Sequence, residues 1–207
     1  MRIHFLILVT FVWCVIHSLM ASLAVKKAFR RWLGKDIIRV YRFAYNLFAV
    51  ISFLPILWLM ATPPDRRIYA IPFPWVIFSL VGQALAIILL LVGLRQTDTW
   101  EFIGLRQMLI KEDDYPHELV IHGMYQQVRH PLYTAGLLFI WLTPVMSLNI
   151  LTVFFILTVY TVIGAYLEER RLCQEFGQVY LEYKTKTPMF IHGLKKKRLR
   201  SVNHPLK

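Results

Sequence analysis

Two short runs of the chain hold the residues best suited to chemistry, Arg129-His130-Pro131-Leu132-Tyr133 and Glu168-Glu169-Arg170-Arg171. Between them, Leu132 to Leu167 is a stretch of 36 residues without a charged side chain. That is too long for one membrane span, and Thr143-Pro144 to Asn149 offers a turn near its middle. A chain that enters a membrane at Tyr133, turns and leaves at Glu168 returns to the side it started from, so the two runs flank one place. A guanidinium, an imidazole, a phenol and two carboxylates would then meet at the edge of low dielectric, where ionisable groups are expensive and default to function. Paired carboxylates suit a cationic ligand, and the arginine suits an anionic one. A plainer reading stands beside this one: Arg129 and His130 before a span and Glu-Glu-Arg-Arg after it also serve as interface anchors with local ion pairs. Pro131 alone is explained as the first residue of a helix, where its missing N–H costs nothing.

The elements that must position these groups are membrane helices. The 207 residues are 57% apolar and 17% charged, a greasier balance than soluble domains show. A bilayer core of roughly 30 Å needs about 20 apolar helical residues. Ile3 to Val25, interrupted by His4 and His17, meets that length, as do the uncharged stretches Phe43 to Ala61 and Ile68 to Leu94. The 36-residue stretch adds two shorter arms, Leu132 to Val145 and Ile150 to Leu167. The first arm, at about 14 residues, would be only about 21 Å long, which draws whatever precedes it toward the membrane interface. The expected fold is an all-α integral membrane protein of about five transmembrane helices, the last two forming a short helical hairpin. The expected organisation is a single membrane domain over 1–207: a three-helix part over 1–94, a connector over 95–131, the hairpin over 132–167 and a tail over 168–207.

Lys and Arg in loops favour the cytoplasm. With the N-terminus outside, residues 26–39 hold six, 95–131 four and 168–207 ten, against Arg2, Arg66 and Arg67 on the other side. The connector and tail are then cytoplasmic, and a bacterial inner membrane is the expected host. The net charge of +12 lies beside the spans, where it reads as topology and attraction to anionic lipid and not as a nucleic-acid surface. The basic run Lys195 to Arg200 fits a solvated or lipid-touching tail. Cys14 in a span and Cys173 on the inner face imply no disulfide. No metal-ligand set is read, and the first span is expected to be retained instead of cleaved as a leader.

Lys111-Glu-Asp-Asp-Tyr-Pro reads as a polar loop, followed by a brief extended piece from Glu118 that ends in a turn at Gly123. Beyond Leu167, Leu172, Phe176, Val179 or Tyr180, and Tyr183 recur at helical spacing, predicting an amphipathic C-terminal helix with Glu175, Gln178 and Glu182 toward water. Gly177 weakens that helix and Pro188 ends it. Trp13, Trp58, Trp75 and Trp141 suit an interface belt or packing.

The string Leu119-Val-Ile-His-Gly-Met-Tyr-Gln-Gln-Val-Arg-His-Pro-Leu-Tyr resembles the signature of the isoprenylcysteine carboxyl methyltransferase family and of its relatives among membrane phospholipid methyltransferases. Leu167-Glu-Glu, Phe176-Gly-Gln-Val-Tyr-Leu-Glu-Tyr-Lys and Thr187-Pro188 resemble that family's C-terminal region in order and spacing, so the likeness covers about 119–190. His17-Ser-Leu-Met-Ala-Ser with Lys26, Tyr41-Arg-Phe-Ala-Tyr-Asn and Phe102-Ile-Gly-Leu-Arg-Gln resemble bacterial methanethiol S-methyltransferase-like and NnrU-like proteins.

This resemblance implies S-adenosyl-L-methionine as methyl donor and a small or lipophilic methyl acceptor, either a thiol or a prenylcysteine-like carboxylate. It places His122, Gly123, Tyr125, Arg129, His130 and Tyr133 around the cofactor, with Glu168 and Glu169 receiving its ammonium or ribose hydroxyls. Val92-Gly93-Leu94-Arg95 departs from the G-x-G element of phospholipid methyltransferases, which counts against a phospholipid amine. Arg129 and His130 are the catalytic candidates. Either stabilises a thiolate or holds the cofactor carboxylate, and the sequence leaves both roles open. It also leaves open whether His17 faces the acceptor or is bonded between packed helices. Two other readings stand: a non-catalytic NnrU-like assembly or regulatory protein, and a sterol-reductase-like enzyme using NADPH.

Overall fold

A computed structural model of the chain describes residues 2–34, 37–97 and 119–191. The Phe102 motif, the Lys111 loop and the basic run from Lys195 to Arg200 lie outside them. Among the described residues, four helices are long and apolar enough to cross a bilayer: α1 (Arg2–Ala21), α3 (Ile37–Ala61), α4 (Val76–Gln96) and α6 (Leu148–Phe176). Large side chains such as Phe11, Val50, Phe78 and Phe155 stand exposed along them. In a chain whose helices satisfy their own backbone, such surface belongs against lipid. The protein is an all-α, multi-pass membrane protein, as the hydropathy predicts.

The first apolar stretch stops at Ala21, four residues before its expected end. Ser22 accepts the amide of Val25 and opens a separate basic helix, α2 (Leu23–Leu33). Its charged side, with Lys26, Lys27, Arg30 and Arg31, is the pattern of a helix lying in an interface.

The hairpin is less symmetrical than its sequence suggests. Its first arm, α5 (Pro131–Trp141), has 11 residues and a length of about 16 Å. The chain then continues as an extended segment to β2 (Val145–Ser147), which pairs antiparallel with β1 (Arg67–Ala70). The expected turn at 143–149 is therefore a strand, held by Tyr69 Oη on the Thr143 carbonyl at 3.1 Å and by Leu148 N on the Arg66 carbonyl at 2.9 Å. Asp65 accepts the Asn149 amide at 3.1 Å, placing a carboxylate at the start of α6 where the helix dipole favours it. The second arm is longer than expected. α6 begins at Leu148, capped by Ser147, and runs unbroken through the Glu168-Glu169 pair to Phe176. Gly177, at φ +54, then breaks the predicted amphipathic helix into the end of α6 and α7 (Gln178–Lys186).

Two packing centres hold these elements. Leu6, Ile56 and Val153 join α1, α3 and α6 in one buried cluster. α4 lies most extensively against α5, and its contact stripe is small: Ser79, Gly82, Ala86 and Gly93. A Cβ on Gly93 would come within 2.8 Å of Leu132, and one on Gly82 within 2.8 Å of Leu142. Small residues let membrane helices approach where no hydrophobic force draws them together. The stripe seats the short arm and, with it, the residues just before Pro131.

Candidate active site

His130 is the last residue before α5, and Pro131 occupies the helix's first position. Thr134 Oγ1 bridges the carbonyls of His130, at 2.9 Å, and Phe190, at 3.1 Å. The Arg129 and His130 amides donate to the carbonyls of Pro188 and Met189 at 2.9 and 3.2 Å. The tail therefore returns after α7 to lie beside the start of the hairpin, and the two motif runs meet as the spacing predicts.

Glu169 is the hub of the junction. Its side chain is 1% exposed; Arg129 Nε donates to Oε1 at 2.6 Å, His130 Nε2 stands 3.3 Å from the same oxygen, and Lys184 Nζ reaches Oε2 at 2.8 Å. Arg129 Nη1 also donates to the carbonyls of Lys184, at 3.0 Å, and Thr187. A buried carboxylate is tolerated because it is compensated this fully. One arginine and one glutamate thus tie the starts of α5 and the tail to α6.

Glu168, the adjacent residue, points elsewhere. Its side chain is 45% exposed, and its Oε2 accepts from Tyr133 Oη at 2.9 Å with His130 Nδ1 at 3.7 Å. The His130 and Tyr133 rings stack 5.3 Å apart and within 7° of parallel. Glu168, Arg129, His130 and Tyr125 line a cavity of about 320 Å³, a size at which small-molecule sites occur. Tyr180, Tyr183, Arg171 and Glu175 from the C-terminal segment complete its polar wall. Tyr183 Oη donates to the Tyr125 carbonyl, joining α7 to the turn before the hairpin. Burial pushes the phenols of Tyr125 and Tyr183 up to about 12 and raises that of Tyr180, so all three are neutral donors at physiological pH.

Of the residues singled out from sequence, Tyr125, Arg129, His130 and Glu168 line the cavity, and Tyr133 touches Glu168 beside it. Glu169 lies behind, engaged by protein cations. His122 and Gly123 are exposed and lie in the turn before it. Gly123, at φ +59, opens a single 3-10 turn, Gly123–Gln126, whose Met124 amide donates to Gln96 Oε1 at 2.8 Å. In the sequence the wall tyrosines Tyr180 and Tyr183 stand out only as part of the apolar face of a helix, and their spacing three apart is the signal that both hydroxyls share one side.

A second polar group lies within the helices. His17 Nδ1 is 2.7 Å from Tyr160 Oη, and its Nε2 is 2.6 Å from Tyr45 Oη. Trp13 stacks on the imidazole at 4.9 Å and donates to Ser52 Oγ. His17 is thus held between α1, α3 and α6.

Fold and site together define a multi-pass membrane protein with a polar cavity of mixed charge at the open end of a helical hairpin. The chain is 30% identical over 193 residues to methanethiol S-methyltransferase of Crocosphaera subtropica, covering 88% of this chain and 73% of that protein. It is 31% identical over 192 residues to methanethiol S-methyltransferase 1 of Bradyrhizobium diazoefficiens, covering 86% of this chain and 63% of that one. The Mycobacterium tuberculosis methanethiol S-methyltransferase is 27% identical over 190 residues, covering 87% and 74%. The chain belongs to the methanethiol S-methyltransferase family, the branch its N-terminal motifs resemble. No family model and no solved structure matches it.

Proposed function

We propose that the chain is a membrane methyltransferase that uses S-adenosyl-L-methionine and acts on a small thiol. The observation that carries this is the exposed carboxylate of Glu168 and the guanidinium of Arg129 on one cavity wall, in a chain of this family. The donor set fits the cofactor's charges: a carboxylate for its ammonium, a guanidinium and an imidazole for its carboxylate. The bound cofactor supplies an activated methyl on a positively charged sulfur.

The chain's own residues hold and orient. Glu168, steadied by Tyr133, takes the ammonium or ribose hydroxyls. Arg129 and His130 take the cofactor carboxylate or the acceptor's developing thiolate. Glu169 fixes the direction of both and Tyr125 closes the wall, while His122 and Gly123 shape the turn that carries it. Because a sulfonium is already a good leaving group, positioning counts for more here than acid–base help. The thiol acceptor is preferred to a prenylcysteine carboxylate because the relatives' names specify methanethiol. With the N-terminus outside and the tail cytoplasmic in a bacterial inner membrane, the cofactor enters from the cytoplasm.

The test is calorimetry of the detergent-purified protein with S-adenosylhomocysteine and, separately, NADPH, followed by transfer of radiolabelled methyl to methanethiol. Binding of the first that is lost in Glu168→Ala, together with a labelled thioether, is the expected result. Binding of NADPH alone would establish the reductase reading. No binding of either would leave a non-catalytic protein.

A further inference from the structure

We infer that the His17–Tyr160–Tyr45 group, inside the helices, is the thiol's deprotonation site, with Gly164 keeping open its approach to the cofactor cavity. This rests on the thiol methyltransferase reading above.

Three observations place the group on the reaction path. Tyr160, Gly164 and Glu168 follow at four-residue steps, so they share one face of α6. They span about 12 Å from the membrane group to the cavity. A Cβ built on Gly164 would meet nothing within 4 Å, and the same holds for Gly136 on α5, three residues beyond Tyr133. Tyr133, hydrogen-bonded to Glu168, is also within electrostatic range of both Tyr160 and Tyr45. Space for a side chain is thus open beside Gly164, midway along α6 between Tyr160 and Glu168.

The group has the chemistry that the cavity lacks. The Arg129 guanidinium is a donor with no acceptor and is engaged by Glu169 and two carbonyls, and His130 is occupied by Glu168 and Glu169. A thiol, with a reference pKa of about 8.5, must lose its proton before its sulfur is a good nucleophile. Among the described residues, the titratable groups bonded to His17 are Tyr45 from α3 and Tyr160 from α6, and Cys14 lies three residues back on α1. All are uncharged at neutral pH, so no cation occupies the acceptor nitrogen of the imidazole. In the tautomer whose Nε2–H faces Tyr45, Nδ1 accepts from Tyr160 Oη. The thiol proton passes to Tyr160 Oη as the Tyr160 proton passes to His17 Nδ1. The sulfur's freed electron pair forms the new carbon–sulfur bond to the methyl. The methyl's bond to the donor sulfur breaks, and its pair neutralises the sulfonium. The imidazolium then releases one proton per turnover.

The experiment compares two acceptors of nearly equal size, ethanethiol and the much more acidic 2,2,2-trifluoroethanethiol, in wild type, His17→Gln and Tyr160→Phe at pH 7. If the group accepts the proton, kcat/KM for ethanethiol falls about 100-fold in both variants, the lower end of general-base effects, and falls under threefold for trifluoroethanethiol. Equal losses for the two thiols, or none, overturn the inference. Calorimetry supplies a readout independent of turnover: in protein saturated with S-adenosylhomocysteine, Gly164→Leu should abolish ethanethiol binding while leaving S-adenosylhomocysteine affinity within twofold. Unchanged ethanethiol binding in that variant overturns the proposed approach. A wild type that methylates no thiol refutes the proposed function itself. An active wild type with acidity-independent losses refutes this site alone.

Discussion

Replacing Glu169 by Gln tests the junction most directly, because it removes one charge and little volume. Arg129 is 9% exposed and loses its ionic partner where water cannot replace it. Lys184 is 40% exposed and can turn to solvent. Breaking a buried pair from one side costs about 3–5 kcal/mol, and the low end applies because the Gln oxygen still accepts from Arg129 Nε. About 3 kcal/mol corresponds to a rise on the order of 100-fold in the population that opens locally. The opening is local, since Glu169 ties α7 and 187–190 to the hairpin while the Leu6–Ile56–Val153 cluster sits elsewhere. Amide hydrogen exchange of the detergent-solubilised protein should therefore quicken about 100-fold at Arg129, His130 and Thr187, whose amides bond to Pro188, Met189 and Tyr183. Amides in α1 and α3 should hold their rates. Lys184→Met strips the buried Glu169 Oε2 of its ammonium partner but leaves the Arg129 pair intact, so it should cost less, about 1–2 kcal/mol. Equal acceleration by the two substitutions, or acceleration throughout the molecule, would refute the view of Glu169 as a buried local tie.

Gly93→Leu, whose bulk the end of the Leu132 side chain cannot evade as it could a single Cβ, should destabilise the protein by about 1–3 kcal/mol; intrinsic-fluorescence melting should show the loss partly restored when Leu132→Ala is added. Tyr133→Phe leaves Glu168 without its phenol donor and should weaken S-adenosylhomocysteine binding several-fold by calorimetry, with little change in melting, since a single hydrogen bond is worth about 1 kcal/mol. Burial raises the Tyr125 and Tyr183 phenols from about 10 unfolded to about 12 folded. Their contribution to stability is therefore full below pH 10 and is lost as pH rises through 12, and Tyr183→Phe should flatten the alkaline limb of a melting-temperature profile. A reporter fused to the C-terminus should be active only in the cytoplasm if the tail lies there.

The sequence made the meeting of the two motif runs legible because it rests on arithmetic: an uncharged stretch of that length must fold back, whatever its side chains do. It did not separate Glu168 from Glu169. Neighbours on a helix point about 100° apart, and which one faces the cavity depends on how α6 is rotated against α5. The shortness of α5 was half visible in its length, but the strand that completes it was not, since Val145–Ser147 becomes a strand only by pairing with residues some 75 positions earlier. The stripe Ser79, Gly82, Ala86 and Gly93 is legible as small residues at near-helical spacing, but the helix it meets is not. The His17 group needed three helices to be placed at once, which no local pattern supplies.

α6 carries Tyr160 at depth and Glu168 at the rim on a single unbroken rod. The two halves of the proposed reaction are therefore locked in phase as well as in distance. Inserting one residue between them would lengthen the rod by only about 1.5 Å but would turn one half about 100° away from the other. Natural variation in this stretch should accordingly spare Gly164 and conserve the count of residues between the tyrosine and the glutamate.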